Sequence, residues 1–306
     1  MQIITAATLK GGTGKTATLF NLAGILAEND NVLLIDCDPQ TNLSLNCGVD
    51  ITDGRLRTVI DIFENFADYD KFDRIDKSTN PKSAGSRKKS GASAFSQSEK
   101  TEGKSADDSA NGVAGLIFKR PIDLLPRLDI IPSSILLAST ELKLAGVAGR
   151  ESILKYFLQD NAAALCNYKY VLIDTSPSMS VINQNAFFAA DSIILVSDIS
   201  LNGIQGAELF IELWRNARRG LRKEDNIRAL VLNNFDRRIK LSAEMTEYAA
   251  ENDSTGHILL NAVIPASVQV KNCEIEHMTI NLLHAGSPVH EAYRAVAAEL
   301  AERGII

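Results

Sequence analysis

A doubly wound α/β fold, with a mostly parallel sheet and helices on both faces, is the architecture this sequence predicts. Three observations predict it. Short aliphatic runs of strand length alternate with helical stretches along most of the chain. The runs are continuously apolar, as strands buried on both faces must be. A glycine-rich turn joins the first run to the first helical stretch, as where a phosphate meets a helix N-terminus.

Composition sets the bounds. The chain has 306 residues, 45% of them hydrophobic and only 6% aromatic, so its core is expected to be aliphatic. No apolar run approaches the roughly 18 residues of a membrane span. The start, Met-Gln-Ile-Ile-Thr-Ala-Ala, lacks a basic region and does not read as a signal peptide. Cys37, Cys47, Cys166 and Cys273 lie far apart, with no Cys-x-x-Cys pair. That spacing argues against a zinc site or a disulfide framework and for a reducing, cytoplasmic setting.

Taken in order, the expected strands are 3–7, 32–35, 128–131, 171–173, 192–196 and 229–232, each an aliphatic run. Helical patterns occupy 15–28, 203–217 and 242–251, and an Ala-rich helix at 290–302 closes the chain. Such alternation implies right-handed crossovers, with a ligand expected at the carboxyl ends of the strands. One segment breaks the pattern. Between Asp76 and Gly112, nine of 37 residues are Ser and Phe95 is the sole large apolar side chain. It cannot bury enough surface to offset its chain entropy, so it reads as a disordered insertion, a solvated spacer or a nucleic-acid tether. The expected organisation is one domain over 1–306, interrupted at 76–112.

The turn after the first strand reads Lys10-Gly11-Gly12-Thr13-Gly14-Lys15-Thr16, then Ala17 and a helical pattern. Glycines let backbone N–H groups curl around a phosphate, and the helix N-terminus adds its field. Lys15 is of a length to reach β- and γ-phosphates, and the Thr16 hydroxyl suits Mg²⁺. A second lysine, Lys10, opens the loop.

This loop resembles the deviant Walker A signature of the ParA/MinD family of P-loop ATPases, which have a SIMIBI-like P-loop NTPase fold. The resemblance implies an ATP-sandwich dimer in which Lys10 reaches the partner's nucleotide, much as an arginine finger does. The run from Val32 to Asn42, with Asp36 and Asp38, resembles the family's second motif; Tyr170 to Ser178, with Asp174, resembles its Walker B. By resemblance Asp174 holds the metal's water shell, Asp36 supports the magnesium site and Asp38 positions the attacking water. Asp38 is equally suited to cap a turn, since Asp-Pro favours one. Asn233, Pro265 and Ser267 match family positions near the adenine, Asn233 being also a natural turn residue. Ala17 stands where the family usually has a second Thr, and Gln269 where chromosome-segregation members commonly have Arg.

The net charge of −6 does not suggest nucleic acid, but its distribution does. Between Trp214 and Lys240 nine basic residues face three acidic ones. Arg218, Arg219, Arg222 and Lys223 are therefore candidate phosphate contacts, with Lys271 a further one. The plainer reading is a solvated helix end, since Arg218 and Arg219 suit a helix C-terminus. The closing helix carries too much acid to be a membrane anchor. The expectation is a partition ATPase binding ATP and Mg²⁺, forming a homodimer with ATP, and holding nonspecific DNA until slow hydrolysis releases it. A small ParB-like DNA-binding adaptor is the implied partner. The alternative is a cargo-positioning or regulatory nucleotide switch acting through a protein partner without DNA.

Overall fold

The computed structural model describes residues 1–65 and 112–306; the insertion expected at 76–112 lies outside them except for Gly112. Among the described residues, eight strands form one sheet: β1 (Gln2–Ala7), β2 (Val32–Cys37), β3 (Phe118–Lys119), β4 (Leu128–Ile131), β5 (Tyr170–Thr175), β6 (Ser192–Asp198), β7 (Ile227–Phe235) and β8 (Leu259–Pro265). Their order across the sheet is β3-β4-β2-β5-β1-β6-β7-β8. Every neighbouring pair is parallel except β3 with β4.

The aliphatic runs divide cleanly between two cores because side chains alternate along a strand. Val32 and Leu34 pack on one face with Leu19, Phe20 and Leu22 of α1 (Lys15–Leu26). Leu33 and Ile35 pack on the other with Phe187 of α7 (Val181–Ala189) and Phe210 of α8 (Leu201–Gly220). Both faces are therefore covered, as the continuous apolar runs demand. Trp214 is fully buried, edge-on to Phe187 at 5.5 Å, and its Nε1 donates to Asn226 Oδ1 at 2.9 Å. It is a core residue at the head of the basic cluster.

Shorter helices fill the remaining crossovers. α2 (Asn42–Asn46) and α3 (59–65) follow β2; α4 (Leu137–Leu144), α5 (Ile153–Asp160) and α6 (Ala162–Leu165) follow β4. α9 (Lys240–Glu251) follows β7, and α10 (Val268–Ile275), α11 (Ile280–Leu283) and α12 (Pro288–Glu302) follow β8. The closing helix α12 buries Val289, Tyr293, Val296 and Leu300 in the α1 core. Among the described residues, no helix is long and apolar enough to cross a membrane.

Two strands differ from expectation. β3, antiparallel and two residues long, is exposed at the sheet edge; of the apolar run Leu116-Ile117-Phe118 only the last residue belongs to it. β8 is only partly buried and is broken by exposed Asn261, so only its Val263-Ile264-Pro265 end is visible in the sequence.

Candidate functional site

Four adjacent strands, β2, β5, β1 and β6, end side by side and place their loops in a row. The loop after β1 carries the glycines. Gly12 and Gly14 hold φ of +78° and +82°, a region that penalises any side chain. At Gly14 a Cβ would also collide with the Asn233 amide. That amide donates to the Thr13 carbonyl at 2.8 Å, so Asn233 ties the loop to β7. α1 starts at Lys15, and its first internal bond runs from Thr18 N–H to the Gly14 carbonyl at 2.8 Å. The N–H groups of Lys15, Thr16 and Ala17 thus have no acceptor in their own helix.

A cavity of about 400 Å³ opens over this loop. Every loop residue from Lys10 to Ala17 lines it: Lys10, Gly11, Gly12, Thr13, Gly14, Lys15, Thr16 and Ala17. Asp38 joins them from the second motif.

Beneath the loop, charge is buried and paired. Lys15 Nζ meets Asp174 Oδ1 at 2.5 Å, and Thr16 Oγ1 donates to Asp174 Oδ2 at 2.7 Å. Parallel pairing of β2 with β5 sets Asp36 directly beside Asp174. Burial, and then the Asp174 charge, push the Asp36 carboxyl up to about 7. Asp36 is wholly occupied by its own chain: Oδ1 accepts Asp38 N–H at 3.0 Å, and Oδ2 accepts the N–H and hydroxyl of Ser44 at 2.9 and 2.7 Å. It is not among the residues that line the cavity, and its bonds hold the turn into α2.

Asp38 makes a turn bond and borders the cavity. Oδ1 accepts Gln40 N–H at 2.9 Å, the turn-capping role, while the side chain still lines the cavity. Burial raises its pKa; the Gln40 bond and the Lys15 charge oppose that rise. Asp38 and Asp174 against one buried lysine leave the site short of positive charge. With free N–H groups at a helix N-terminus and a threonine hydroxyl beside a carboxylate, this donor set fits a polyphosphate and a divalent cation.

The remaining candidates lie apart from the cavity lining. Pro265 ends β8 opposite Phe235, and Ser267 caps α10 by accepting Gln269 N–H at 3.2 Å. Lys271 is exposed on α10, beside Glu274, which does line the cavity. The basic cluster is split. Arg218, Arg219, Arg222 and Lys223 lie where α8 ends and β7 begins, at the amino end of the sheet, whereas Arg237, Arg238 and Lys240 follow the carboxyl end of β7. Strand geometry separates the two groups by about 30 Å. Arg218 pairs with Asp225 at 3.3 Å, and Lys223 Nζ donates to the Ala190 carbonyl at 2.9 Å. Sequence reasoning missed Ser44, Ser133, Asp198 and Glu274. Ser133 holds the second motif by donating to the Asp38 carbonyl at 2.8 Å. Asp198, the last residue of β6, was detectable only from its place at a strand's carboxyl end.

Known proteins match along the whole chain. A family described as an AAA domain matches residues 1–229. The chromosome partitioning protein ParA of Caulobacter vibrioides is 28% identical over 307 residues, covering 99% of this chain and 95% of its own length. A Cyanothece McdA variant solved in complex with ATP superposes with a TM-score of 0.72 at 18% identity, covering 98% of this chain and 96% of its own. A plasmid partition protein from Borrelia burgdorferi, bound to AMPPNP, gives 0.67 at 19% identity, with 99% and 98% covered.

Proposed function

Because the chain belongs to the ParA/MinD family of P-loop ATPases, we propose that it is a DNA-partition ATPase. In this reading it dimerises around ATP, binds DNA without sequence preference and lets go on slow hydrolysis. The observation that carries the reading is the row of loops over β2, β5, β1 and β6, with Asp38, Asp174, Lys15 and Lys10 side by side. ATP supplies the transferable phosphoryl group, and Mg²⁺ the charge that screens it.

The chain's own residues do the rest. The loop N–H groups and Lys15 bind phosphate, Thr16 and Asp174 hold the metal's water shell, and Asp38 orients water. Asp36 fixes the turn that presents Asp38. Asn233 keeps the loop in register, and Pro265 and Ser267 bound the side where a base would lie. Ile135, Leu136, Leu201, Ile239 and Val268 are exposed just beyond strand carboxyl ends and support a face that closes on a second copy. The relative named for chromosome partitioning supports DNA as cargo or track, and in this reading a small DNA-binding adaptor is the partner.

The division of the basic cluster between two ends of the sheet favours the second reading, a nucleotide switch that acts through a protein partner without DNA. One experiment separates the two. Sedimentation with a non-hydrolysable ATP analogue should give a dimer, and with ADP a monomer. The dimer should retard random-sequence duplex at low salt and release it at high salt. A dimer that leaves duplex untouched at low salt removes the DNA reading and leaves the protein-partner switch. A chain that stays monomeric with the analogue removes the sandwich.

A further inference from the structure

Lys10 is held inside its own chain. Its Nζ donates to Asp198 Oδ2 at 2.7 Å and to Ser200 Oγ at 3.2 Å. These acceptors come from the end of β6 and the residue before α8, on the opposite side of β1 from Asp174. The two lysines of the loop therefore each meet an aspartate on a strand flanking β1: Lys15 with Asp174, Lys10 with Asp198.

The pocket for Lys10 is shaped by its surroundings. Ser200 Oγ accepts Gly203 N–H at 3.0 Å, capping α8 and fixing the hydroxyl that Lys10 also uses. A Cβ at Gly203 would strike Asp198, at both its carboxylate and its carbonyl, so glycine there leaves room for the acid. Asp198 Oδ1 is buried with no hydrogen-bond partner, leaving Oδ2 as the oxygen that is satisfied. The Lys10 side chain is 39% exposed, so the pair is within reach of an incoming ligand and can open without unfolding anything.

We propose that Asp198 is a positioning residue that holds Lys10 in its own subunit and sets the threshold for the nucleotide-bound dimer. This rests on the reading above in which Lys10 serves the partner's nucleotide. One ammonium cannot neutralise Asp198 and a partner's phosphate together, so dimer formation must open the Lys10–Asp198 pair. In a two-fold dimer both subunits open one pair, and the stabilisation of that pair enters the dimer constant twice. A half-shielded pair is worth roughly fivefold in an equilibrium, hence about 25-fold per dimer.

The test is sedimentation velocity on the full chain with saturating non-hydrolysable ATP analogue, comparing parent, Asp198→Asn, Lys10→Ala and the double variant. The amide keeps the shape of Asp198 and removes its charge. Asp198→Asn should tighten the dimer constant by about 25-fold and leave monomer affinity for ADP unchanged, a split that a merely structural residue would not produce. In the Lys10→Ala background it should change nothing. Asp198→Ser carries the same expectation if melting shows that the amide is not accommodated. A dimer constant that is unchanged or weaker in both Asp198 variants, with Lys10→Ala still monomeric, overturns the proposal and spares the trans-lysine reading. A Lys10→Ala protein that dimerises like the parent overturns that reading, and this proposal with it.

Discussion

At the carboxyl end of the sheet Lys15, Asp36, Asp38 and Asp174 are buried, whereas at the amino end Arg215, Arg219, Arg222 and Arg228 are exposed. The same kinds of charge are used in opposite ways. Buried charges must be paired and hydrogen-bonded, so the first group is held in place by its neighbours. Exposed charges near one another are screened and free to move, so the second group contributes a field rather than a geometry. Geometry suits chemistry on one phosphate; a field suits a polyanion of any sequence. α8 links the two, starting beside Lys10 and running about 30 Å to the basic end.

The sharpest way to break the buried end is Lys15→Ala. It removes the phosphate contact and leaves Asp174 as an uncompensated buried carboxylate beside Asp36. ATP affinity should fall by more than about a hundredfold, and the apo protein should lose about 3 kcal/mol of stability. Calorimetric titration and chemical denaturation read the two effects separately. Parent-like ATP affinity would mean that the loop does not hold the phosphates. Asp38→Asn comes next. It keeps the Gln40 turn, since the amide oxygen can still accept, and should cut steady-state hydrolysis by about a hundredfold with ATP affinity intact. A parent-like rate would leave Asp38 as a turn cap and nothing more.

Much of the carboxyl end was legible because its parts are contiguous in the chain. The β1 loop from Lys10 to Ala17 is one uninterrupted stretch, and it lines the cavity as one. Asp36 and Asp174 each close an aliphatic run, so pairing β2 with β5 brought them together. The pairing of Asp198 with Lys10 was not legible, because it depends on β6 lying next to β1, which no local pattern records. Ser44 was hidden for a similar reason: its hydroxyl joins Asp36 to Ser133, 89 residues further on. The basic cluster taught the reverse lesson. Closeness in sequence suggested one patch, but β7 carries the chain across the sheet between Arg228 and Arg237. β3 was invisible because two exposed residues make no periodicity.

The smallest expected effect on the nucleotide site, and the most telling for the comparison, belongs to the exposed end. Arg219→Glu with Arg222→Glu reverses two exposed charges and touches no residue that lines the cavity. Arg218 is left in place because it is tied to Asp225 and the Lys223 carbonyl, and its loss would disturb the end of α8. If this end holds the duplex, the ATP-bound dimer should bind random-sequence DNA about tenfold or more weakly at low salt. The slope of log affinity against log salt should flatten, by about 0.9 for each phosphate that the protein no longer neutralises. Hydrolysis without DNA should be unchanged. The matched variant at the other end is Arg237→Glu with Arg238→Glu, where Arg238 now neutralises Asp236, whose carboxyl is pulled down to about 2. Fluorescence anisotropy of labelled duplex at several salt concentrations compares the two directly. Should the amino-end variant bind like the parent and the carboxyl-end variant fail, DNA and nucleotide share one end of the sheet. The fixed and diffuse charges would then act on neighbouring ligands, and α8 would no longer be the element that joins them.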